Sequence, residues 1–170
     1  IEMSGVISGE ESEYISGLKQ HGVLQKFNPE EEIRGIDENV GVVIMCSDGD
    51  IDAEPFHGRI SHRPHAVKIF GGPLLFAPSF GGYDVWLAHM LMENIKQGMK
   101  VKDTRVIYLY FHAPCGMAAE YHHNIREVLD MAMIVGDIFT RADFFSRVFT
   151  LFHVKRINRR GVLEQNVYLV

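Results

Sequence analysis

The feature that most constrains this chain is an apolar run that ends in a cysteine, Val42–Cys46, with Asp48 two residues later. Glycines flank this stretch, at Gly41 and Gly49. A short continuous apolar run between turn residues is typical of a strand buried in a parallel sheet. Open α/β sheets bind their ligands beyond the carboxyl ends of the strands. We therefore expect Cys46 and Asp48 to lie at the functional edge of such a sheet.

A second segment has the same form, because the apolar run 105–111 leads directly into His112 and Cys115. The carboxyl ends of parallel strands share one edge of a sheet, so Cys46, His112 and Cys115 are expected to form one site with Asp48 beside it. Two thiolates and one imidazole suit Zn²⁺, and three protein ligands leave the fourth tetrahedral position for water or substrate. The sequence therefore predicts a zinc site.

The order of the remaining elements predicts an α/β fold, with a mostly parallel sheet flanked by helices. One helix is expected to begin near residue 9 and to end at Gly22, and another to begin at Asn28-Pro29. Gly98 is expected to end a helix over 83–97, and the glycine pairs 71–72 and 81–82 are expected to form turns. Further strands are predicted at 67–70, 105–111 and 147–154, and a long helix at 116–137.

Length and charge limit the classes of function. The 170 residues favour one domain over 1–170, with 1–39 as a leading helical segment. The net charge is −5 and there is no basic block, so neither nucleic acid nor a membrane surface is an expected partner. The sequence contains neither a spanning apolar run nor a signal-peptide pattern. We expect a cytoplasmic protein whose two cysteines stay reduced.

With these residues in view, the chain resembles the β-class carbonic anhydrases. That family carries Cys-x-Asp-x-Arg and His-x-x-Cys motifs, which Cys46-x-Asp48 and His112-x-x-Cys115 match over a resemblance that covers roughly residues 40–135. The resemblance implies a β-carbonic-anhydrase-like fold with Zn²⁺ held by Cys46, His112 and Cys115. Asp48 would be the catalytic carboxylate that accepts a hydrogen bond from the zinc-bound water, or a fourth zinc ligand in a closed form. A homodimer or higher homo-oligomer is also implied.

The implied activity is the reversible hydration of carbon dioxide to bicarbonate. Zinc lowers the pKa of a coordinated water from about 15.7 toward about 7, and the resulting hydroxide can attack CO2 or a related small electrophile such as COS. One departure bears on this activity. Asp50 stands where the family has the arginine that pairs with the aspartate and holds it away from zinc. This departure favours the alternative of a zinc-binding relative without hydration activity.

Simpler interpretations exist for each group of residues. Cys46 and Cys115 could be buried, reduced and inert, and a lone histidine such as His112 is more often a hydrogen-bonded core residue than a ligand. Only the spacing of the three residues together favours a metal. The predicted loop 50–66 carries three histidines that could bind a second metal or shuttle protons, although solvated loop residues are the simpler interpretation: His57, His62 and His65.

Overall fold

The computed structural model describes residues 6–32, 41–47, 65–157 and 160–170. The predictions for Asp48, Asp50, His57 and His62 lie outside these ranges. Within the described chain, no helix is long and apolar enough to cross a membrane.

Six strands and five α-helices make up the regular structure of the described residues. The strands are β1 (Gln25–Lys26), β2 (Val42–Cys46), β3 (His65–Ile69), β4 (Val106–Ala113), β5 (Arg147–Ile157) and β6 (Leu163–Leu169). The helices are α1 (Gly9–Gln20), α2 (Pro29–Glu32), α3 (Val85–Lys102), α4 (Gly116–Glu120) and α5 (Ile125–Thr140), and a 3₁₀ helix spans Gly72–Phe76.

The strands form one mixed sheet in the order β1-β6-β5-β4-β2-β3. The four strands β3, β2, β4 and β5 are parallel to one another, whereas β6 pairs antiparallel with β5 and β1 pairs antiparallel with β6. The α/β prediction is therefore confirmed, and the prediction of a mostly parallel sheet is refined to a parallel core with two antiparallel strands on one side.

Strands β2 and β4, the inner two of the four parallel strands, are buried on both faces, as continuous apolar runs in a parallel sheet should be. Side chains alternate between the faces, so Ile44 and Leu109 pack in the core that includes residues of α3 and α5. Met45 and Tyr108 belong to the core on the opposite face. This burial fixes the register of β2 and β4, and thereby fixes where both strands end.

Helix α3 continues past Gly98 to Lys102, so the prediction that Gly98 ends it was wrong. A Cβ atom at Gly98 would lie 2.3 Å from the His65 side chain, and the missing side chain allows β3 to pack closely against the helix. The helix ends instead at Asp103, which adopts the left-handed conformation with φ 49°. The glycine at this position serves packing and not termination.

The predicted helix over 116–137 is two helices, α4 and α5. His122 interrupts it with a φ of 60°, and Asn124 caps the second helix. The Asn124 side chain accepts hydrogen bonds from the backbone N–H groups of Arg126 and Glu127, and the Glu127 carboxylate accepts one from the Asn124 N–H. This reciprocal capping box has a visible Asn-x-x-Glu signature, whose local hydrogen bonds prevail over the helical periodicity.

The antiparallel part of the sheet was not predicted. Strand β5 extends to Ile157, and the chain returns as β6, in which Asn166 pairs in register with Val154. The leading segment contains α1 and α2 as expected, and Gly22 follows α1 with φ 73°. Between the two helices lies β1, which pairs with β6. A strand of two residues carries too little periodicity to be recognised.

Candidate metal centre

The carboxyl ends of β2 and β4 meet at a switch point of the sheet. The two strands are neighbours, with Met45 opposite Tyr110. After β2 the chain continues to β3 on one side of the pair, and after β4 it continues to β5 on the other side. Such a reversal of strand order opens a crevice beyond the carboxyl ends, which is where α/β sheets bind ligands. Cys46 ends β2, and Cys115 follows β4 by two residues.

Three side chains converge at this point. One ligand atom each of Cys46, His112 and Cys115 lies within 4.8 Å of the other two. All three residues are buried, with exposed fractions of 1%, 6% and 7%. Tetrahedral zinc with ordinary bond lengths would set the S···S and S···N separations at about 3.8 and about 3.6 Å. The cluster could therefore hold a metal ion after only small movements of its side chains.

The environment of His112 fits a metal ligand. Its Nε2 atom is buried, and no group among the described residues forms a hydrogen bond with it. An unsatisfied buried polar atom costs about 1–3 kcal/mol, so native structures rarely keep one without a function. Coordination of a metal by this nitrogen would remove the cost. Among the residues that the structure describes, no partner at Nε2 supports the alternative of a hydrogen-bonded core histidine.

Cys46 is held in place by the glycine pair that follows β3. The backbone N–H of Gly71 donates a hydrogen bond to the Cys46 Sγ atom over 3.3 Å. Gly71 and Gly72 have φ values of 85° and 50°, which glycine adopts without steric cost. A Cβ at Gly72 would lie 2.3 Å from the Cys46 nitrogen, so the turn contacts the strand end directly. The predicted turn therefore supports the Cys46 sulfur, which is a candidate metal ligand.

Cys115 lies at the N-cap position of α4. The segment that follows α4 contacts the loop around Phe80. The Phe80 ring packs edge-on against Tyr121 with 5.0 Å between centroids. The Gly81 N–H donates to His123 Nε2 over 3.4 Å, and His123 Nδ1 lies 3.7 Å from the Glu127 carboxylate. These contacts hold the segment that directly follows α4, the helix for which Cys115 is the N-cap residue.

A second buried histidine lies beside the centre. His153 on β5 is the register partner of His112 and is 3% exposed. Its Nε2 lies 3.2 Å from Gln165 Oε1 on β6, so Nε2–H donates to that carbonyl oxygen. A nitrogen committed to this hydrogen bond is not available to a metal. The sequence does not indicate the contact between His153 and Gln165, because this contact depends on β6 lying next to β5.

The described loop histidine, His65, is not part of the centre. It is the first residue of β3, opposite Val42, and so lies at the amino end of the parallel strands. Its side chain packs against α3 at Gly98. The interpretation of His65 as a loop residue was wrong, and its position excludes it from a site at the carboxyl ends.

A groove of about 790 Å³ lies elsewhere, between α1 and the β5–β6 hairpin. Its wall includes Arg156, whose guanidinium hydrogen-bonds the Glu164 carboxylate at 3.1 Å. The positive charge of Arg156 is therefore already paired with a carboxylate of the same chain. None of the three residues Cys46, His112 and Cys115 lines this groove.

Comparisons of this chain with protein-family models and with curated proteins returned no match. The Cys46–His112–Cys115 cluster and the sequence around it are therefore the features that indicate a function. Asp48 follows Cys46 by two residues and lies outside the described residues, so its role stays a prediction.

Proposed function

We propose that this chain is a zinc-dependent enzyme of the β-carbonic-anhydrase type that hydrates carbon dioxide reversibly. The observation that supports this proposal is the convergence of Cys46, His112 and Cys115 within 4.8 Å at the carboxyl ends of two parallel strands. In the proposal, both sulfurs and the Nε2 atom of His112 are the ligands of the ion.

The chemistry of the donor set favours zinc over the hard cations. Mg²⁺ and Ca²⁺ prefer oxygen ligands, whereas thiolate and imidazole ligands suit zinc. Three protein ligands are characteristic of catalytic zinc sites, which keep one position for water or substrate. When bound, zinc supplies a Lewis acid that makes water a nucleophile near neutral pH.

The residues around the cluster suit a small apolar substrate. Cys46 and Cys115 belong to the apolar core on the helix-packed face of the sheet, together with Phe80, Phe111 and Ala113. Apolar surroundings of this kind favour a small neutral molecule such as CO2 over an ionic substrate. Gly71 fixes one sulfur, and the strand ends fix the distance between the ligand-bearing segments. Asp48 would accept a proton from the attacking water and orient it.

One observation favours a second candidate function. Asp50 replaces the arginine that the resemblance leads one to expect after Asp48. Without that cation, Asp48 has less to keep it off the metal, and the extra negative charge disfavours an anionic product. The second candidate is a zinc-binding protein without hydration activity, or one that acts on another small electrophile such as COS.

The test begins with zinc content and ends with stopped-flow CO2 hydration on the zinc-loaded chain. We expect one zinc per chain in the wild type, and at least about tenfold weaker binding in Cys46→Ser and His112→Gln. His153→Gln is the matched control, since it alters a buried histidine on the adjacent strand that the proposal does not assign to zinc. A Cys46→Ser chain that still holds one tightly bound zinc would overturn the ligand assignment.

Hydration is then followed between about pH 6.5 and 9, around the pKa near 7 that zinc-bound water reaches in hydrolytic sites. We expect a rate above buffer that increases with pH and is lost in Asp48→Ala. A zinc-loaded chain with no hydration at any pH would contradict the first candidate and favour the second.

A further inference from the structure

The two clustered sulfurs are also placed to react with each other. Cys46 and Cys115 are the two cysteines of the sequence, and their Sγ atoms lie within 4.8 Å. Both are thiols and both are buried. Two thiols this close together can react with each other when no metal lies between them.

The two cysteines differ in how firmly the backbone holds them. Cys46 is paired with Ile69 across the sheet, and its sulfur accepts the hydrogen bond from Gly71. Cys115 lies beyond the end of β4, at the start of the five-residue helix α4. Of the two, Cys115 has fewer backbone constraints from the sheet, so its side chain is the one expected to move.

The movement required is within the reach of one side chain. A disulfide has an S–S distance of about 2.05 Å, so the sulfurs must approach by at most about 2.8 Å. A change between staggered rotamers moves a cysteine sulfur by about 3 Å. The distance to be closed is therefore no larger than the movement that one side-chain rotation provides.

We propose that Cys46 and Cys115 are a covalent modification site, where a peroxide converts the metal-free pair to an intrachain disulfide. One thiolate attacks the peroxide oxygen and becomes a sulfenic acid, and the O–O bond breaks to release one water once protonated. The second thiolate attacks the sulfenic sulfur and expels its oxygen as a second water. The two sulfurs lose two electrons, the peroxide gains them, and both thiol protons end in water.

Metal binding and the disulfide exclude each other, because both use the same sulfur lone pairs. This part of the inference rests on the zinc site proposed above. Zinc should therefore protect the pair from oxidation, and the oxidised chain should not bind zinc until a dithiol reductant restores the thiols. The site would lose its metal and gain a cross-link in the same step.

The experiment compares zinc-loaded chain with chain stripped by a chelator, each treated with hydrogen peroxide. Thiols are counted after denaturation, and intact mass and non-reducing electrophoresis identify the product. We expect the stripped chain to lose both thiols as a monomer, reversibly with dithiothreitol, and the zinc-loaded chain to lose them at least about tenfold more slowly. His112→Gln keeps both cysteines, and zinc should protect it far less than it protects the wild type.

Each outcome separates this inference from the proposed function. Persistence of both thiols in stripped wild-type chain, or stepwise addition of oxygen without a cross-link, would overturn the disulfide while leaving the zinc assignment intact. A reversible disulfide in a chain that never binds zinc would support the modification site and contradict the proposed function. Cross-linked dimers in place of an oxidised monomer would also overturn the intrachain assignment.

Discussion

At the scale of single residues, Gly71 and Gly72 after β3 hold Cys46 in position in the candidate centre. Gly72→Ala would place a Cβ 2.3 Å from the backbone nitrogen of Cys46 and would also carry the strain of a positive φ. We expect this substitution to displace the turn and its hydrogen bond to Cys46 Sγ, and to weaken zinc binding at least about tenfold. Zinc titration monitored by competition with a chromogenic chelator measures the effect.

Gly22→Ala is the matched control. Gly22 also has a positive φ, 73°, but no atom lies within 4 Å of a Cβ built there. The backbone strain of about 1–2 kcal/mol should lower the free energy of unfolding in both variants. Only Gly72→Ala should alter zinc affinity. Equal zinc affinities in the two variants would show that the turn at Gly71 and Gly72 does not support zinc binding.

The sequence predicted part of the centre at this scale. Cys46, His112 and Cys115 could be grouped because each lies at or just beyond the end of an apolar run, where parallel strands meet. The donor to Cys46 could not be predicted, because a backbone N–H has no sequence signature and every residue except proline would carry one at position 71. The hydrogen bond between His153 and Gln165 could not be predicted either. It depends on β6 lying next to β5, which the local sequence pattern does not indicate.

At the scale of elements, helix α5 owes its start to the capping box of Asn124 and Glu127. Asn124→Ala would leave the N–H groups of Arg126 and Glu127 without their side-chain acceptor. We expect the free energy of unfolding to fall by about 1 kcal/mol, as measured by urea denaturation. Asn94→Ala in the exposed interior of α3 is the control, and there alanine should be neutral or slightly stabilising.

An Asn124→Ala variant as stable as the Asn94→Ala variant would show that packing alone determines where α5 begins.

This helix also shows what hydrophobic periodicity alone cannot predict. The hydrophobic spacing across 116–137 is compatible with one helix, whereas the capping signature at Asn124 divides it. Long apolar strands were recognised because their burial is encoded in composition, and β1 was missed because its two exposed residues carry no such pattern.

At the scale of the whole molecule, alkaline stability should depend on Tyr108. Burial raises the pKa of Tyr108 to about 12, although the nearby Arg147 cation opposes the shift. The folded state therefore keeps the phenolic proton at pH values where the unfolded chain has lost it. This contribution is fully present below pH 10, the ordinary pKa, and is lost as the pH rises toward 12.

The expected loss of stability between these limits is about 3 kcal/mol, since each pKa unit corresponds to about 1.4 kcal/mol. Denaturant unfolding at a series of alkaline pH values should show this decrease in the wild type and a much smaller one in Tyr108→Phe. Parallel curves for the two proteins would mean that Tyr108 ionises as readily in the folded protein as in the unfolded chain.

The pairing of β1 with β6 has a consequence for the order in which the molecule is made. Ser12 and Arg156, which hydrogen-bond across the α1–β5 contact, are 144 residues apart, and the Ile7 N–H bonds the Lys155 carbonyl. While the chain emerges from the ribosome, β1 and α1 must wait for the β5–β6 hairpin. Strands β2, β3 and β4 can assemble around the carboxyl ends of β2 and β4 before then. Such distant pairings slow folding, so the candidate centre is expected to form earlier than the edge that joins the leading segment to the sheet.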